Sequence, residues 1–190
     1  MKLDAINRLL KTCVDREVWV VTSAHAGERG GLLATFVSPI SIVPELPRLA
    51  VALSKLHHTW TLVEAAGVFA VHLLTVEQAD LAWRFGTQSG RDVDKFANLT
   101  CETGVTGCPI LAAARGWLEC RVEQSFDTGD RTLYLAEVVA GDLSESFSPL
   151  TQRQLLDLAS REQLEILRAQ LAADAEQDAT AIRLSRLTPP

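Results

Sequence analysis

Runs of β-branched and apolar residues, separated by short polar turns, dominate the chain up to about residue 141. Such runs, bounded by Gly, Pro and Asp clusters, are typical of β-strands. A few polar residues separate the first two runs, which favours an antiparallel pair. The predicted strands cover residues 17–24, 32–42, 48–53 and 68–75, and two long strands lie within 116–142 around the turn DTGD at 127–130.

Short helical patterns lie between these predicted strands. Residues 61–67 read as a helix in which Thr61 and Glu64 form a capping box and Gly67 ends the helix. Residues 76–86 read as a second helix, with Thr75 as N-cap and Gln78 three positions on. Several antiparallel strands with short helices at the rim predict a β-barrel, or a sheet curled nearly closed.

The last forty or so residues are rich in Leu, Ala, Gln and Glu and predict helices. The first would begin with Ser148 as cap and Pro149 at its first position and run over 148–159. Ser160 and Gln163 form another capping box, so a second helix is expected from about Arg161.

This second helix carries an apolar stripe of Leu164, Leu167 and Leu171 at helical spacing. The spacing indicates that one face of the helix is buried, but it does not show what that face packs against. The stripe packs either on its own barrel or on a second subunit.

Composition and charge limit the classes of function. The chain has 190 residues, 22% of them charged, with a formal net charge of −6 and a pI of about 5.2. No Lys/Arg run interrupts this balance, which argues against nucleic acid and anionic membranes as partners. The N-terminal segment has Asp4 and no apolar signal core, so a cytoplasmic location is expected.

The four cysteines, at positions 13, 101, 108 and 120, include no C-x-x-C pair. The spacing required for a zinc or dithiol site is therefore missing. We expect buried free thiols in a reducing compartment.

The segment SKLHHTW (54–60) holds two of the four histidines, His57 and His58. Adjacent histidines point to different faces, which argues against a chelating pair. The segment follows a strand and precedes a helix, and such a junction exposes backbone N–H groups at the positive end of the helix dipole. With the hydroxyls of Ser54 and Thr59 and the charge of Lys55, it predicts an anion site. A solvated turn that only caps the helix is the alternative.

Five segments in one order strengthen the anion hypothesis. They are GLLATFVSPIS (31–41), LSKLHHTWTLVEAAGVFAVHLL (53–74), RFGTQSGRDVDKFA (84–97), GCPILAAARGWLECRV (107–122) and DTGDRTLYLAEV (127–138). Over residues 14–142 the chain resembles the flavin reductase-like, FMN-binding split-barrel family. The resemblance implies a mainly β, antiparallel Greek-key-like split barrel over residues 1–145, with short rim helices, and a helical C-terminal extension over 146–190.

The resemblance also implies a flavin site between two subunits of a homodimer. FMN is the expected cofactor, FAD the alternative flavin, and NAD(P)H the cosubstrate. The segment Ala34, Thr35, Phe36, Val37 and Ser38 would line the flavin ring, and Ser54, Lys55, His58 and Thr59 would hold the phosphate. A loop with Phe85, Gly86, Ser89, Lys95 and Phe96 would close over the ribityl and ring end. For Lys95, the alternative is a surface lysine paired with Asp92 or Asp94.

Three positions depart from the family pattern. Arg131 stands where many NAD(P)H-using relatives have His, so it is the candidate catalytic residue, with a solvated hairpin arginine as the alternative. Leu33 replaces a common Thr and Ala136 a frequent Gly. The resemblance therefore predicts an NAD(P)H-dependent flavin reductase that could supply a monooxygenase. The alternatives are an FMN-binding redox carrier or sensor, and a relative that binds haem or deazaflavin instead.

Overall fold

A computed structural model describes residues 3–144 and 146–187 of the chain. The predicted domain boundary at residue 145, the first two residues and the last three lie outside the described residues. The strands are β1 (Trp19–His25), β2 (Glu28–Ala34), β3 (Val37–Pro39), β4 (Arg48–Ser54), β5 (Val68–Leu73), β6 (Cys101–Thr103), β7 (Pro109–Leu111), β8 (Gly116–Asp127) and β9 (Arg131–Leu143). The helices are α1 (Leu3–Arg8), α2 (His58–Ala66), α3 (Ala79–Thr87), α4 (Gln152–Asp157) and α5 (Arg161–Ser185), with a π-helical turn at Leu9–Cys13 and a 3₁₀ turn at Val76–Gln78.

Seven strands form one curled antiparallel sheet in the order β2-β1-β5-β8-β9-β4-β3, and β6 and β7 form a separate hairpin. The two edge strands, β2 and β3, are joined by only Thr35 and Phe36. A link of that length spans at most about 11 Å from Ala34 to Val37. The two edges must therefore meet at this link, and the sheet is a half-barrel. This confirms the prediction of a mainly β fold with a curled antiparallel sheet.

The prediction of a single strand over 32–42 is wrong. The first part pairs with β1, through Leu32 opposite Val21, whereas Val37 pairs with Val51 of β4 at the other edge of the sheet. The turn between β1 and β2 explains why β2 begins earlier than predicted. Ala26 and Gly27 both have positive φ angles, which a two-residue hairpin turn requires.

The sheet has an apolar core on each side of β1. Val21, with Phe69 and Tyr134, faces the inside of the half-barrel, where these side chains are almost fully buried. Val20 faces the other way, into a second core that α3 and the C-terminal segments cover, with Phe85 and Leu150. β1 is therefore apolar on both faces, which accounts for its continuous hydrophobic run.

Helix α2 begins earlier than predicted, at His58, and the expected capping box of Thr61 and Glu64 is wrong. The Thr61 hydroxyl donates to the His58 carbonyl at 2.7 Å, and Glu64 accepts a hydrogen bond from Tyr134. The capping box of Thr75 and Gln78 is confirmed, although a 3₁₀ turn precedes α3.

The predicted helix start at Ser148 is also wrong. Leu150 is extended: its N–H donates to Leu74 at 2.7 Å and its carbonyl accepts from Val18 at 2.8 Å, while its side chain lies in the second core. Thr151 caps α4 instead. The capping box of Ser160 at the start of α5 is confirmed. Among the described helices, none is both long and apolar enough to cross a bilayer.

The leucine stripe of α5 is only partly covered by its own barrel. Leu167 packs against the second core, whereas Leu171 is 58% exposed. Cys108 and Cys120 are buried free thiols as predicted, but Cys13 is exposed.

Candidate functional site

The junction between β4 and α2 has the geometry of an anion site. β4 ends at Ser54, and His57 is the N-cap of α2 with an extended backbone and no side-chain cap hydrogen bond. The first N–H groups of a helix have no partner within the helix, and they lie at the positive end of its dipole. The Ser54 hydroxyl accepts the Leu56 N–H at 3.3 Å, which fixes the turn that leads into the helix.

A narrow cavity of about 170 Å³ lies in front of this helix end. Thr59 is 2% exposed and borders the cavity, and its hydroxyl forms no hydrogen bond with the other described residues. The hydroxyl is thus free to donate to a ligand. The polar lining includes His57, His58, Thr59, Gln88, Ser89, Arg91, Lys95, Gln170 and Asp174.

Lys95 borders the same cavity from the loop after α3. The residue is 6% exposed, and its Nζ donates to the carbonyls of Gly31 and Phe85, both at 2.9 Å. Burial lowers the pKa of Lys95 to about 8. An ammonium has three N–H bonds, so one donor is left for a ligand. The alternative of a surface lysine paired with Asp92 or Asp94 is wrong, because Asp94 pairs with Arg29.

The two histidines differ in their surroundings. Burial lowers the pKa of His57, which opposes a positive charge on this ring. The side chain of His58 is 19% exposed, and its Nε2 lies 3.6 Å from a carboxylate oxygen of Glu28. His58 separates the narrow cavity from an open groove of about 560 Å³, which it borders together with Arg29, Lys95 and Phe96. One ligand could therefore extend from the cavity into the groove.

Arg131 lies at the first position of β9, directly opposite Ser54 of β4. Its guanidinium is 5.4 Å from the centroid of the Phe36 ring, within the range of a cation–π contact. Nε lies 3.2 Å from Asp130 and Nη2 lies 3.2 Å from Asp178 of α5. The alternative of a hairpin arginine surrounded by solvent is wrong, because the Arg131 side chain contacts Phe36, Asp130 and Asp178.

The structure brings only part of the predicted set together at the cavity: His58, Thr59, Gly86, Ser89 and Lys95. The rings of Phe85 and Phe96 pack edge to face at 5.3 Å in the second core, so they support the loop from within. Lys55 forms an ion pair with Asp127.

The remaining predicted residues lie on or beside the link between the sheet edges. Ala34 and Val37 are buried in the half-barrel, whereas Phe36 is 46% exposed. Thr35 and Ser38 lie next to them in the chain, Thr35 within the link and Ser38 in β3.

Five polar lining residues were not among the predicted site residues. His57, Gln88 and Arg91 belong to the segments that carried the resemblance, so their sequence neighbourhood already pointed to them. Gln170 and Asp174 come from α5, where only the leucine spacing was a signal. Among the described residues, no group of three or more His, Cys, Asp or Glu side chains could hold a metal ion.

Comparison with known proteins identifies relatives of this chain. The model of the flavin reductase-like domain matches residues 12–157. An FMN reductase (NADH) of Klebsiella pneumoniae is 30% identical over 127 residues, which are 67% of this chain and 76% of that protein. The reductase subunit of a flavin-dependent monooxygenase from Mycobacterium tuberculosis is 28% identical over 121 residues, or 64% of this chain. The match spans 62% of that subunit, less than two thirds of its length.

A solved structure shares the fold. The NADH:FAD oxidoreductase of Streptomyces globisporus, in complex with NAD and FAD fragments, superposes with a TM-score of 0.68 at 25% identity. The superposition covers 79% of this chain and 87% of that one.

Proposed function

Because this chain belongs to the flavin reductase-like domain family, we propose that it binds FMN and reduces it with NAD(P)H. The observation that carries the proposal is the cavity at the start of α2, with its uncapped helix end, unpartnered Thr59 hydroxyl and spare Lys95 donor. These groups are donors, as a phosphate requires. The name of the Klebsiella relative, an FMN reductase, supports the choice of flavin.

The donor set fits a phosphate better than it fits an uncharged group. Lys95 and Arg91 supply positive charge, and the first turn of α2 supplies backbone N–H groups. Charge-assisted hydrogen bonds of this kind contribute about 1.5–3 kcal/mol each. Thr59 and His58 would hold the phosphate, with Lys95 opposite, and the groove beyond His58 offers room for the rest of the ligand.

The flavin supplies the redox chemistry, because its ring accepts a hydride. The chain therefore needs to hold two ligands in contact and to attract the anionic cosubstrate. Arg131 is suited to the second task, because its fixed charge and planar donors match a phosphate. Phe36 supports the guanidinium from one side and leaves it at the surface of the half-barrel.

We propose further that the protein is a homodimer. The β-sheet register aligns Ala52, Leu133 and Phe126 in one row across β4, β9 and β8, and Phe36, in the link just before β3, lies next to Ala52 at the end of this row. Phe126 is 64% exposed and Leu133 is 41% exposed. An apolar row on adjacent strands, next to Arg131, is suited to self-complementary contact with a second copy.

A monooxygenase is the proposed acceptor of the reduced flavin. The Mycobacterium relative is named as the reductase subunit of such an enzyme, which supports this partner class. A cytoplasmic location agrees with this assignment, since both NAD(P)H and free reduced thiols belong to reducing compartments.

One observation favours the alternative of an FMN-binding carrier without efficient turnover. The guanidinium of Arg131 is already paired with Asp130 and Asp178, so a cosubstrate phosphate would meet a neutralised arginine.

An anaerobic titration distinguishes the two functions. NADH or NADPH is added to the protein with FMN, and the visible absorbance of oxidised flavin is followed. A reductase bleaches the flavin within the time of mixing, whereas a carrier binds FMN and leaves the absorbance unchanged. Riboflavin, which lacks the phosphate, should bind more weakly than FMN in both cases, and equal affinities would contradict the phosphate site.

A further inference from the structure

Helix α5 presents a polar stripe to the candidate site. Gln170, Asp174 and Asp178 are four residues apart, so they lie on one face of the helix. Gln170 Nε2 donates to the Thr87 carbonyl at 2.8 Å, and Gln170 and Asp174 border the narrow cavity. Asp178 reaches Arg131. The stripe therefore runs from the phosphate end of the site to the arginine.

Apolar and backbone packing hold α5 in this position at both ends. Leu167 packs against the second core. Near the other end, the helix touches the β8–β9 turn so closely that a Cβ on Gly129 would lie 2.6 Å from the Ser185 hydroxyl. The contact between Asp178 and Arg131 lies between these two anchors.

Arg131 divides its donors between two carboxylates. Asp130 lies at Nε and Asp178 lies at Nη2, each at 3.2 Å. The side chains of Arg131 and Asp178 are 31% and 15% exposed, so the pair is partly shielded from water. A phosphate that binds the Nη edge of the guanidinium must take the place of Asp178, while Asp130 and Phe36 still hold the side chain.

We propose that Asp178 is an affinity-determining residue that competes with the phosphate of the cosubstrate for Arg131. This inference rests on the proposed reductase function, in which Arg131 receives an anionic dinucleotide. Burial raises the pKa of Asp178, in agreement with a carboxylate that is held at some cost and can be displaced. Asp178 thus weakens the binding of NAD(P)H.

Steady-state kinetics of Asp178→Asn test the competition. The KM for NAD(P)H should fall about threefold or more, the size expected for a partly exposed ion pair, with no loss of kcat. Asp178→Glu keeps the charge and should keep the wild-type KM. Glu176→Gln, an exposed acid on the same helix, is the matched control and should change nothing.

The role of Arg131 is tested by the double variant. In an Arg131→Ala background, Asp178→Asn should no longer lower the KM, because the group that both anions bind is absent. An unchanged or raised KM in the single variant would overturn the proposal, since a residue that only supports the helix cannot improve cosubstrate binding when it is removed. Circular dichroism of each variant confirms that α5 is still folded.

Calorimetry with inorganic pyrophosphate separates this proposal from the reductase function. If no variant oxidises NAD(P)H, the proposed function fails, and the competition is decided by pyrophosphate binding alone. Asp178→Asn should then bind pyrophosphate more tightly than the wild type, and Arg131→Ala should abolish the difference. Equal affinity in the wild type and Asp178→Asn would overturn the competition whatever the outcome of the kinetics.

Discussion

Lys95 offers a test of the candidate phosphate site that needs no ligand. Its ammonium is almost fully buried, and burial lowers its pKa from 10.5 to about 8. At about 1.4 kcal/mol per pKa unit, the folded state binds this proton about 3 kcal/mol less favourably than the unfolded chain does. The protein therefore retains a charge in a position where it is destabilising, as expected of a residue kept for an anion.

The sign of the pH dependence follows from this lowered pKa. Below about pH 8 both states are protonated at Lys95, and the destabilisation is complete. As the pH rises toward 10.5 the folded state has lost the proton that the unfolded chain still holds, so stability increases. The free energy of unfolding of the wild type, relative to Lys95→Met, should rise by about 2–3 kcal/mol between about pH 7 and pH 10.

Urea unfolding of the wild type and Lys95→Met at each pH measures this difference in the free energy of unfolding. The buffer contains a reductant that keeps the thiols free. Comparison with Lys95→Met is necessary because the raised thiol pKa values of Cys108 and Cys120 act in the opposite direction in both proteins. Lys55→Met, which breaks only the surface ion pair with Asp127, is the control. If the difference in the free energy of unfolding between the wild type and Lys95→Met does not change with pH, the lowered pKa of a buried Lys95 ammonium is refuted. With FMN bound, the affinity of the wild type should fall above about pH 8, as Lys95 loses its proton.

Three further predictions concern other parts of the site. Replacing Ser54 and Thr59 together by Ala should weaken FMN binding about tenfold or more without unfolding, because one hydroxyl donor and the hydrogen bond that fixes the turn are lost. Fluorescence titration measures the affinity, and an unchanged value would favour the alternative of a solvated turn that only caps the helix. Leu133→Glu should make the protein monomeric by placing a charge in the apolar row of the proposed dimer interface, and sedimentation velocity that finds a wild-type monomer would contradict the proposed dimer. Arg131→Ala should lower the rate of flavin reduction by NAD(P)H much more than it lowers FMN affinity, as stopped-flow and equilibrium measurements would reveal; a change below about twofold in both would mean that the arginine has no ligand role.

Local patterns predicted most of the elements, because strands and caps are encoded over a few residues. The capping boxes at Thr75 and Ser160 depend only on a hydroxyl and a glutamine three positions on, and both formed as predicted. Thr61 and Glu64 have the same local pattern, but Glu64 has a tertiary partner in Tyr134 and the helix starts before them. The predicted helix start at Ser148 is wrong for a similar reason. The backbone of Leu150 hydrogen-bonds to Leu74 and Val18, next to the ends of two strands, so a helix cannot begin before it.

The candidate site was predictable only where its residues lie in the segments that carried the resemblance. The resemblance pointed to His58, Thr59 and Lys95, and the cavity joins them. It could not indicate that Lys95 is buried, since burial depends on how the loop packs on β2. Asp178 was not predictable either, because its contact with Arg131 depends on where α5 docks and not on any pattern in the tail.

The position of β4 in the sheet has a consequence for the order in which the protein is assembled. β4 pairs on one side with its neighbour in sequence, β3, and on the other side with β9, which follows it only after two helices and four other strands. Pairings between such distant segments form late, because the entropy of closing a long loop must be overcome first. During synthesis, Ser54 can therefore pair with Arg131 only after residue 131 has left the ribosome. The turn that leads into α2 and the arginine thus come together at the last closure of the sheet. Tight binding of the ligand would then report that synthesis and folding of the whole sheet are complete.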